Sequence, residues 1–361
     1  MSDAHYMNLA LKLAKKGEGG VNPNPLVGAV VVKGDTIVGQ GYHAKFGGPH
    51  AEVAALNDAG EDARGATLFV TLEPCCHRGK TPPCTERIIK SGVSRVVVAV
   101  RDPNPLVDGK GISIITSEGI DVTEGLLTKE AMRMNEVFFK FITTGLPFVQ
   151  LKLALSLDGK IATRTGDSKW ITSLAARKEA HRLRRKLSAV MVGVGTVIAD
   201  DPHLTVRHVA GRNPLRVILD GGGRTPLGAA VITDEEPTIV ATCEMSKEKE
   251  ELVTKAGNKV WQQVDKTGAL DLHALLSYLA EQQVDSILVE GGGEAASAFL
   301  KARLVDKISF FLAPIIIGGR AAVPAVGGDG CSLISEALRL RDTSAEWLGE
   351  DLLYTGYPIR D

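Results

Sequence analysis

The spacing of four residues, His50, Glu52, Cys75 and Cys84, constrains this chain more than any other feature. One imidazole and two thiolates hold a zinc ion with its fourth tetrahedral position open to water, but only if three separate stretches of chain converge on one point. A zinc ion held in this way draws the pKa of its water towards ~7, and a nearby carboxylate can shuttle the protons. Glu52 is that carboxylate. The same ligands would also suit a closed structural site with His77 or Cys76 as the fourth, although a structural site needs no glutamate two residues after its histidine. A redox pair is a third and weaker reading, because thiols without a secretory signal are more readily metal ligands than disulfides.

His-x-Glu followed by Pro-Cys and a second cysteine is the pattern of zinc deaminases that convert a ring amine to a carbonyl. Their usual second half is Pro-Cys-x-x-Cys, whereas eight residues separate Cys75 from Cys84 here. Pro82-Pro83 constrains the approach to Cys84, which is expected to open a helix after a loop. The run Leu72-Glu-Pro-Cys-Cys-His-Arg-Gly-Lys-Thr-Pro-Pro-Cys84 resembles the deaminase half of the bifunctional deaminase/reductases of bacterial riboflavin synthesis, in which a long insertion between the thiolates is normal. Cys76 departs from that family, where serine often stands. The resemblance implies Cys75, directly after the proline, as the ligand.

At 361 residues the chain exceeds the size at which single cores usually stop growing, so two domains are expected. Forty-two basic residues against 43 acidic leave a net charge of -1, which argues against a nucleic-acid partner held by a broad basic surface. No basic segment leads into an apolar core at the N-terminus, and no apolar run reaches spanning length. A soluble cytoplasmic protein without a membrane partner is the expectation. Of the five cysteines, Cys243 and Cys331 stand apart from the cluster and read as inert packing residues.

The first part alternates helix and strand. Asp3 is expected to cap a helix with Tyr6, Leu9, Ala10, Leu13 and Ala14 on one face, ending at Gly17. Runs 26–32 and 36–40 form a hairpin through Gly34-Asp35. Residues 50–59 read as a helix carrying His50 and Glu52 in its first turn, at the positive end of its dipole. Strand 67–72 then leads to the thiolate loop, and helix 84–90, strand 95–100, a turn at Asp102-Pro-Asn-Pro105, a helix after Gly111 and a strand near 120–122 follow. A helix over 129–143 closes a doubly wound α/β unit, whose sites lie where strands end and helices begin. Gly145-Leu-Pro147 is the linker, with domains expected at 1–145 and 146–361.

The second part opens with strand 148–155 and a turn at Asp158-Gly159. Thr172 or Ser173 can cap a helix through Arg185 that bears Arg177, Arg182, Arg184 and Arg185, a set equally compatible with a solvated face. Apolar runs 189–194 and 287–290 end at Gly193-Val-Gly195-Thr196 and Gly291-Gly-Gly293, the latter before helix 294–301. Glycines there let backbone N–H groups approach a phosphate, although each run alone more often marks an ordinary turn. Gly193-Val-Gly-Thr-Val-Ile-Ala-Asp-Asp-Pro-His-Leu-Thr-Val-Arg207 with Val289-Glu-Gly-Gly-Gly293 resembles the reductase half of the same riboflavin family, whose fold is similar to dihydrofolate reductase.

That resemblance spans nearly the whole chain. It implies a cytidine-deaminase-like α/β/α domain followed by a dihydrofolate-reductase-like α/β domain. The substrate implied is a small phosphoribosyl-pyrimidine, deaminated by zinc hydroxide and then reduced with NADPH at its ribosyl group. NADPH contacts are implied at Ala154, Trp170, Thr196, Asp200, Gly221 and the loop of Gly292, Gly293, Glu294, Ala295, Ala296, Ser297 and Ala298. Substrate contacts are implied at Ser168, Arg184, Leu204, Arg207 and Glu290, with Asn24, His43 and Lys80 as further contacts in the deaminase half. Arg184 and Arg207 would each offer a guanidinium fork to the sugar phosphate. Lys152, Asp200 and Glu290 are the ionisable groups placed for proton handling. Two alternatives stand beside this reading: a nucleoside or RNA deaminase fused to an unrelated reductase, and a non-catalytic zinc module joined to a nucleotide sensor. Edge strands in the second half are compatible with a homo-oligomer.

Overall fold

Short apolar runs flanked by helix-forming segments make β-strands buried on both faces, and that is how the first half of the chain is built. The computed structural model describes residues 1–78 and 82–360 and divides into two units, Met1–Gly145 and Leu146–Asp361. In the first, the elements run α1 (Asp3–Ala14), β1 (Gly28–Lys33), β2 (Thr36–Tyr42), α2 (Ala51–Ala59), β3 (Thr67–Val70), α3 (Cys84–Ser91) and β4 (Arg95–Val98). α4 (Lys110–Ser117), β5 (Asp121–Glu124), α5 (Thr128–Met134) and α6 (Glu136–Thr144) complete it. The sheet order is β2-β1-β3-β4-β5. β1 runs antiparallel to both its neighbours, while β3, β4 and β5 are parallel. The expected hairpin forms, with Lys33 opposite Thr36 and Gly34 at a φ of 63° in the two-residue turn.

Three details differ from the sequence expectations. Ser2, not Asp3, occupies the N-cap of α1, without a side-chain cap bond, and the Asp3 carboxylate pairs with Arg95 at 2.9 Å. His50 is the N-cap of α2 and Glu52 lies in the first turn. The single helix read over 129–143 is two helices meeting at Asn135. There the Asn135 side chain accepts from Leu26 N at 2.8 Å and donates to Leu26 O at 2.9 Å, satisfying backbone that lies outside the sheet.

The second unit contains β6 (Phe148–Ser156), β7 (Lys160–Ala162), α7 (Leu174–Lys186), β8 (Ala189–Gly193), α8 (Val194–Asp200), β9 (Leu215–Leu219), α9 (Ala230–Thr233) and β10 (Thr238–Thr242). α10 (Lys247–Lys255), β11 (Lys259–Gln262), α11 (Leu272–Glu281), β12 (Ser286–Glu290), α12 (Gly293–Lys301), β13 (Lys307–Ala313), β14 (Val323–Pro324), β15 (Leu340–Leu348) and β16 (Asp351–Pro358) follow. Its large sheet has the order β11-β10-β9-β8-β12-β6-β13-β16-β15. The first seven strands are parallel and β16 and β15 close one edge antiparallel. Ser173 caps α7, accepting from Ala176 N. The glycines at 193–195 do not form a loop, since Gly193 is the cap and Val194 already helical. Gly291 and Gly292 do, with φ of 68° and 71° between β12 and α12. Cys331 is exposed and does not pack. Among the described residues no helix is long and apolar enough to cross a membrane.

Close helix–sheet approach sets the position of α2, the element that carries Glu52. Its Ala51, Ala55 and Ala59 lie over Gly39 and Gly41 of β2, where a Cβ on Gly41 would meet the Ala51 carbonyl and the Ala55 amide. Gly41→Ala should therefore push α2 off the sheet, with a cost of about 1–3 kcal/mol in denaturant unfolding of the first unit. Deamination should fall with it, while an unchanged midpoint would show that α2 is not seated on this contact.

Candidate active sites

In the first unit three helix and strand ends converge. His50 caps α2, Cys75 follows β3, and Cys84 opens α3. His50 Nδ1 lies 3.2 Å from Cys84 Sγ and 3.5 Å from Cys75 Sγ, and the Cys84 amide donates to Cys75 Sγ at 3.4 Å. All three ligand atoms fall within 4.8 Å of one another. Cys84 donates its thiol proton to Cys75, which pulls Cys75 down to about 4 and, with burial, holds Cys84 well above the ordinary thiol range. A dication would displace the shared proton and leave two thiolates. The cluster therefore suits zinc in donor type and spacing.

Glu52 is only 3% exposed. Burial, followed by the Cys75 thiolate, pushes its carboxyl up to about 7. It shares a cavity of about 240 Å³ with Asn24, His43, His50, Cys75 and Asp102. His43 Nδ1 donates to Pro49 O at 3.0 Å, so Nε2 is left to accept from Asn24 Nδ2 at 3.1 Å. Burial lowers the His43 pKa and keeps that neutral form. Lys80 lies outside the described residues. Cys76 does not join the cluster, since its Sγ is directed to Leu106 O at 3.6 Å.

Two acidic residues here escaped the sequence reading. Glu73 accepts from the amides of Asp102, Gly109 and Ile112 at 3.3, 3.0 and 3.2 Å, lashing the loop after β4 and the start of α4 to the ligand-bearing segment. Asp102 lines the cavity, accepts from Asn104 N at 2.9 Å, and is raised to about 6 chiefly by burial. The Asp-Pro-Asn-Pro run was legible as a turn; its place at the carboxyl end of a parallel strand was the available signal.

In the second unit a cavity of about 730 Å³ opens at the carboxyl ends of β6, β8 and β12. It gathers Lys152, Ala154, Ser168, Trp170, Arg184, Thr196, Asp200, Leu204, Arg207, Glu290 and residues 292–295 of the expected set. Gly221, Ala296, Ser297 and Ala298 are not on its wall: Gly221 follows β9, Ala296 is buried in the core side of α12, and Ser297 and Ala298 lie further along that helix. Lys152 and Glu290 are register partners on adjacent strands, with Nζ 3.6 Å from Oε2. Arg184 forks onto Glu290 at 2.6 and 2.9 Å, and its Nη1 donates to Thr205 O at 3.1 Å. Burial would raise Glu290, but Arg184 and Lys152 outweigh it and hold the carboxyl at about 2. Burial lowers Lys152, against the opposing pull of Glu290. Arg184 thus lines the cleft while its Nε and Nη2 pair with a carboxylate.

Ser168 donates to Asp200 at 3.3 Å, and Trp170, 68% exposed, stacks its ring 4.4 Å from the Arg177 guanidinium.

The family model described as the RibD C-terminal domain matches residues 147–354, and that of the cytidine and deoxycytidylate deaminase zinc-binding region matches residues 1–100. The riboflavin biosynthesis protein RibD of Aquifex aeolicus is 51% identical over 97% of each chain. The chain belongs to the RibD family. The RibD of Bacillus amyloliquefaciens is 48% identical over 99% of this chain and 96% of its own. Acinetobacter baumannii RibD superposes with a TM-score of 0.90 at 40% identity, covering 99% of each chain. A Thermotoga maritima diaminohydroxyphosphoribosylaminopyrimidine deaminase/5-amino-6-(5-phosphoribosylamino)uracil reductase gives 0.87 at 41%, covering 99% of this chain and 98% of its own. The chain is accordingly a bifunctional enzyme of riboflavin biosynthesis, with a zinc-binding deaminase half and a reductase half.

Two outcomes are expected from these geometries. Metal analysis of purified protein should find near-stoichiometric zinc in Cys76→Ser and little in Cys84→Ser; loss of zinc from Cys76→Ser would reassign the ligand. Arg184→Met leaves Glu290 opposed only by Lys152 and should destabilise the second unit by about 3 kcal/mol in denaturant unfolding. A midpoint shift near zero would show that Lys152 suffices.

Proposed function

We propose that residues 1–145 hydrolytically deaminate 2,5-diamino-6-(5-phosphoribosylamino)pyrimidin-4(3H)-one, and that residues 146–361 use NADPH to reduce the ribosyl group of the resulting 5-amino-6-(5-phosphoribosylamino)uracil to ribityl. The observation that carries the first half is a buried carboxyl, Glu52, in one cavity with a His/Cys/Cys cluster. The substrates follow those named for the Thermotoga relative.

His50, Cys75 and Cys84 would hold zinc, which when bound supplies a Lewis acid that makes water nucleophilic near neutral pH. Glu52 moves one proton from the attacking water to the ring nitrogen and then the remaining proton of the added hydroxyl to the departing amine, so that water is consumed and ammonia released. A carboxyl raised to about 7 without metal is suited to carrying protons both ways. Asn24 and His43 are fixed to each other at the cavity wall, which presets the polar edge that would meet the base.

NADPH, when bound, supplies the hydride that turns C1′ of the ribosyl group into the methylene of an open chain. The ring oxygen must gain a proton as the ring opens. Lys152, beside Glu290 on the neighbouring strand, is the group held ready to donate it. Arg207 is exposed at the cleft and offers its guanidinium to the substrate phosphate, whereas Arg184 acts by orienting Glu290. A cytoplasmic setting completes the reading, because it keeps Cys75 and Cys84 as free thiols available to metal.

Mass spectrometry of the diaminopyrimidine ribosyl phosphate after incubation with zinc-loaded protein, without and with NADPH, tests both steps. Deamination is expected in both tubes and further reduction only with NADPH. Glu52→Gln should lose deamination by about a thousandfold or more yet reduce the pre-deaminated substrate. Retained deamination in that variant would remove Glu52 from its role.

A further inference from the structure

Residues 201–207 have no regular secondary structure, yet residues 201–204 and 207 line the reductase cleft, among them two expected substrate contacts, Leu204 and Arg207. A segment of this kind keeps one shape only if its backbone groups are bound from outside. Side chains from elsewhere bind three successive residues. Arg184 Nη1 donates to Thr205 O at 3.1 Å, Val206 N donates to Asn213 Oδ1 at 2.8 Å, and Arg207 N donates to His181 Nδ1 at 2.9 Å. Leu204 is buried with a φ of 57°, a left-handed conformation that tertiary contacts must hold in place.

We propose that His181 is a positioning residue for the reduction: its Nδ1 holds the main-chain N–H of Arg207 and thereby aims the Arg207 guanidinium at the phosphate of the ribosyl substrate. The inference rests on the reductase reading given above and extends it to a residue that the family resemblance did not supply. His181 lies on α7 one turn before Arg184, so one helix face fastens both Thr205 and Arg207. The hydrogen bond requires a neutral ring with a free lone pair on Nδ1. Burial, then the neighbouring Arg184 and His208, draws the imidazole down to about 4 and ensures that form at working pH. His208 stands edge-on to His181 with ring centroids 4.6 Å apart, so the ring is packed as well as bonded.

Asparagine and glutamine separate this role from mere packing. In His181→Asn the amide oxygen takes the place of Nδ1, while in His181→Gln it reaches the place of Nε2. KM for 5-amino-6-(5-phosphoribosylamino)uracil is expected to rise about tenfold in His181→Gln and to return close to the wild-type value in His181→Asn. kcat at saturating substrate should move less than KM in both. In an Arg207→Ala background His181→Gln should add little, because the side chain it aims is gone.

The denaturant midpoint of the second unit in the same preparations reports its folding, and wild-type reduction establishes the reductase reading by itself. With that reduction present, equal KM values in the asparagine and glutamine variants, or fully additive losses in the double variant, overturn the inference while leaving the reading intact. Absence of wild-type reduction would overturn both.

Discussion

A carboxylate taken out of water has to be met by donors or by opposite charge, and each unit is arranged around how far that need is met. Glu290 is met completely: two hydrogen bonds from Arg184 and the ammonium of Lys152 hold it ionised in the interior. Glu73 is met by three backbone amides, which makes it a fastener for the loop after β4. Glu52 is met only in part: burial and the Cys75 thiolate outweigh His50, a backbone amide and the Cys84 thiol and push it up to about 7. A group that is buried and not fully compensated titrates in a useful range, which sets Glu52 apart from Glu290.

The satisfied carboxylates also transmit shape. Arg184 is held by Glu290, and an Nη1–H reaches Thr205, so the ion pair at the end of β12 helps set the course of the chain through Leu204 to Arg207. Two arginines that look alike in sequence thus differ in setting, Arg184 buried against Glu290 and Arg207 exposed, although both line the cleft.

Much of this was legible before the fold was known. His50, Glu52, Cys75 and Cys84 announce themselves because metal chemistry restricts residue type and spacing, and the hairpin at Gly34-Asp35 follows from turn chemistry that acts over two residues. Less local facts were not legible. The break at Asn135 depends on Leu26, more than a hundred positions away, and no periodicity within 129–143 could reveal it. The pairing of Arg184 with Glu290 spans a similar distance, so a helix rich in arginine read equally well as solvated surface. Glu73 stood in full view beside Pro74-Cys75, yet its role depends on amides supplied after β4.

Both cavities occupy the same kind of place, the carboxyl ends of parallel strands where loops leave the sheet, yet their charged groups differ. In the first unit two sulfurs and a carboxyl surround the point where a dication would sit, and like charge raises Glu52. In the second, Lys152, Lys169, Arg177, Arg184 and Arg207 line a wall that also carries Asp200, Asp201, Glu290 and Glu294, so cationic side chains are at hand for ligands carrying phosphates. A phosphoribosyl-pyrimidine presents a neutral amine at one end and a dianion at the other. The first cavity has the chemistry for the amine, and the second brings cationic side chains to the cleft where the dianion would lie.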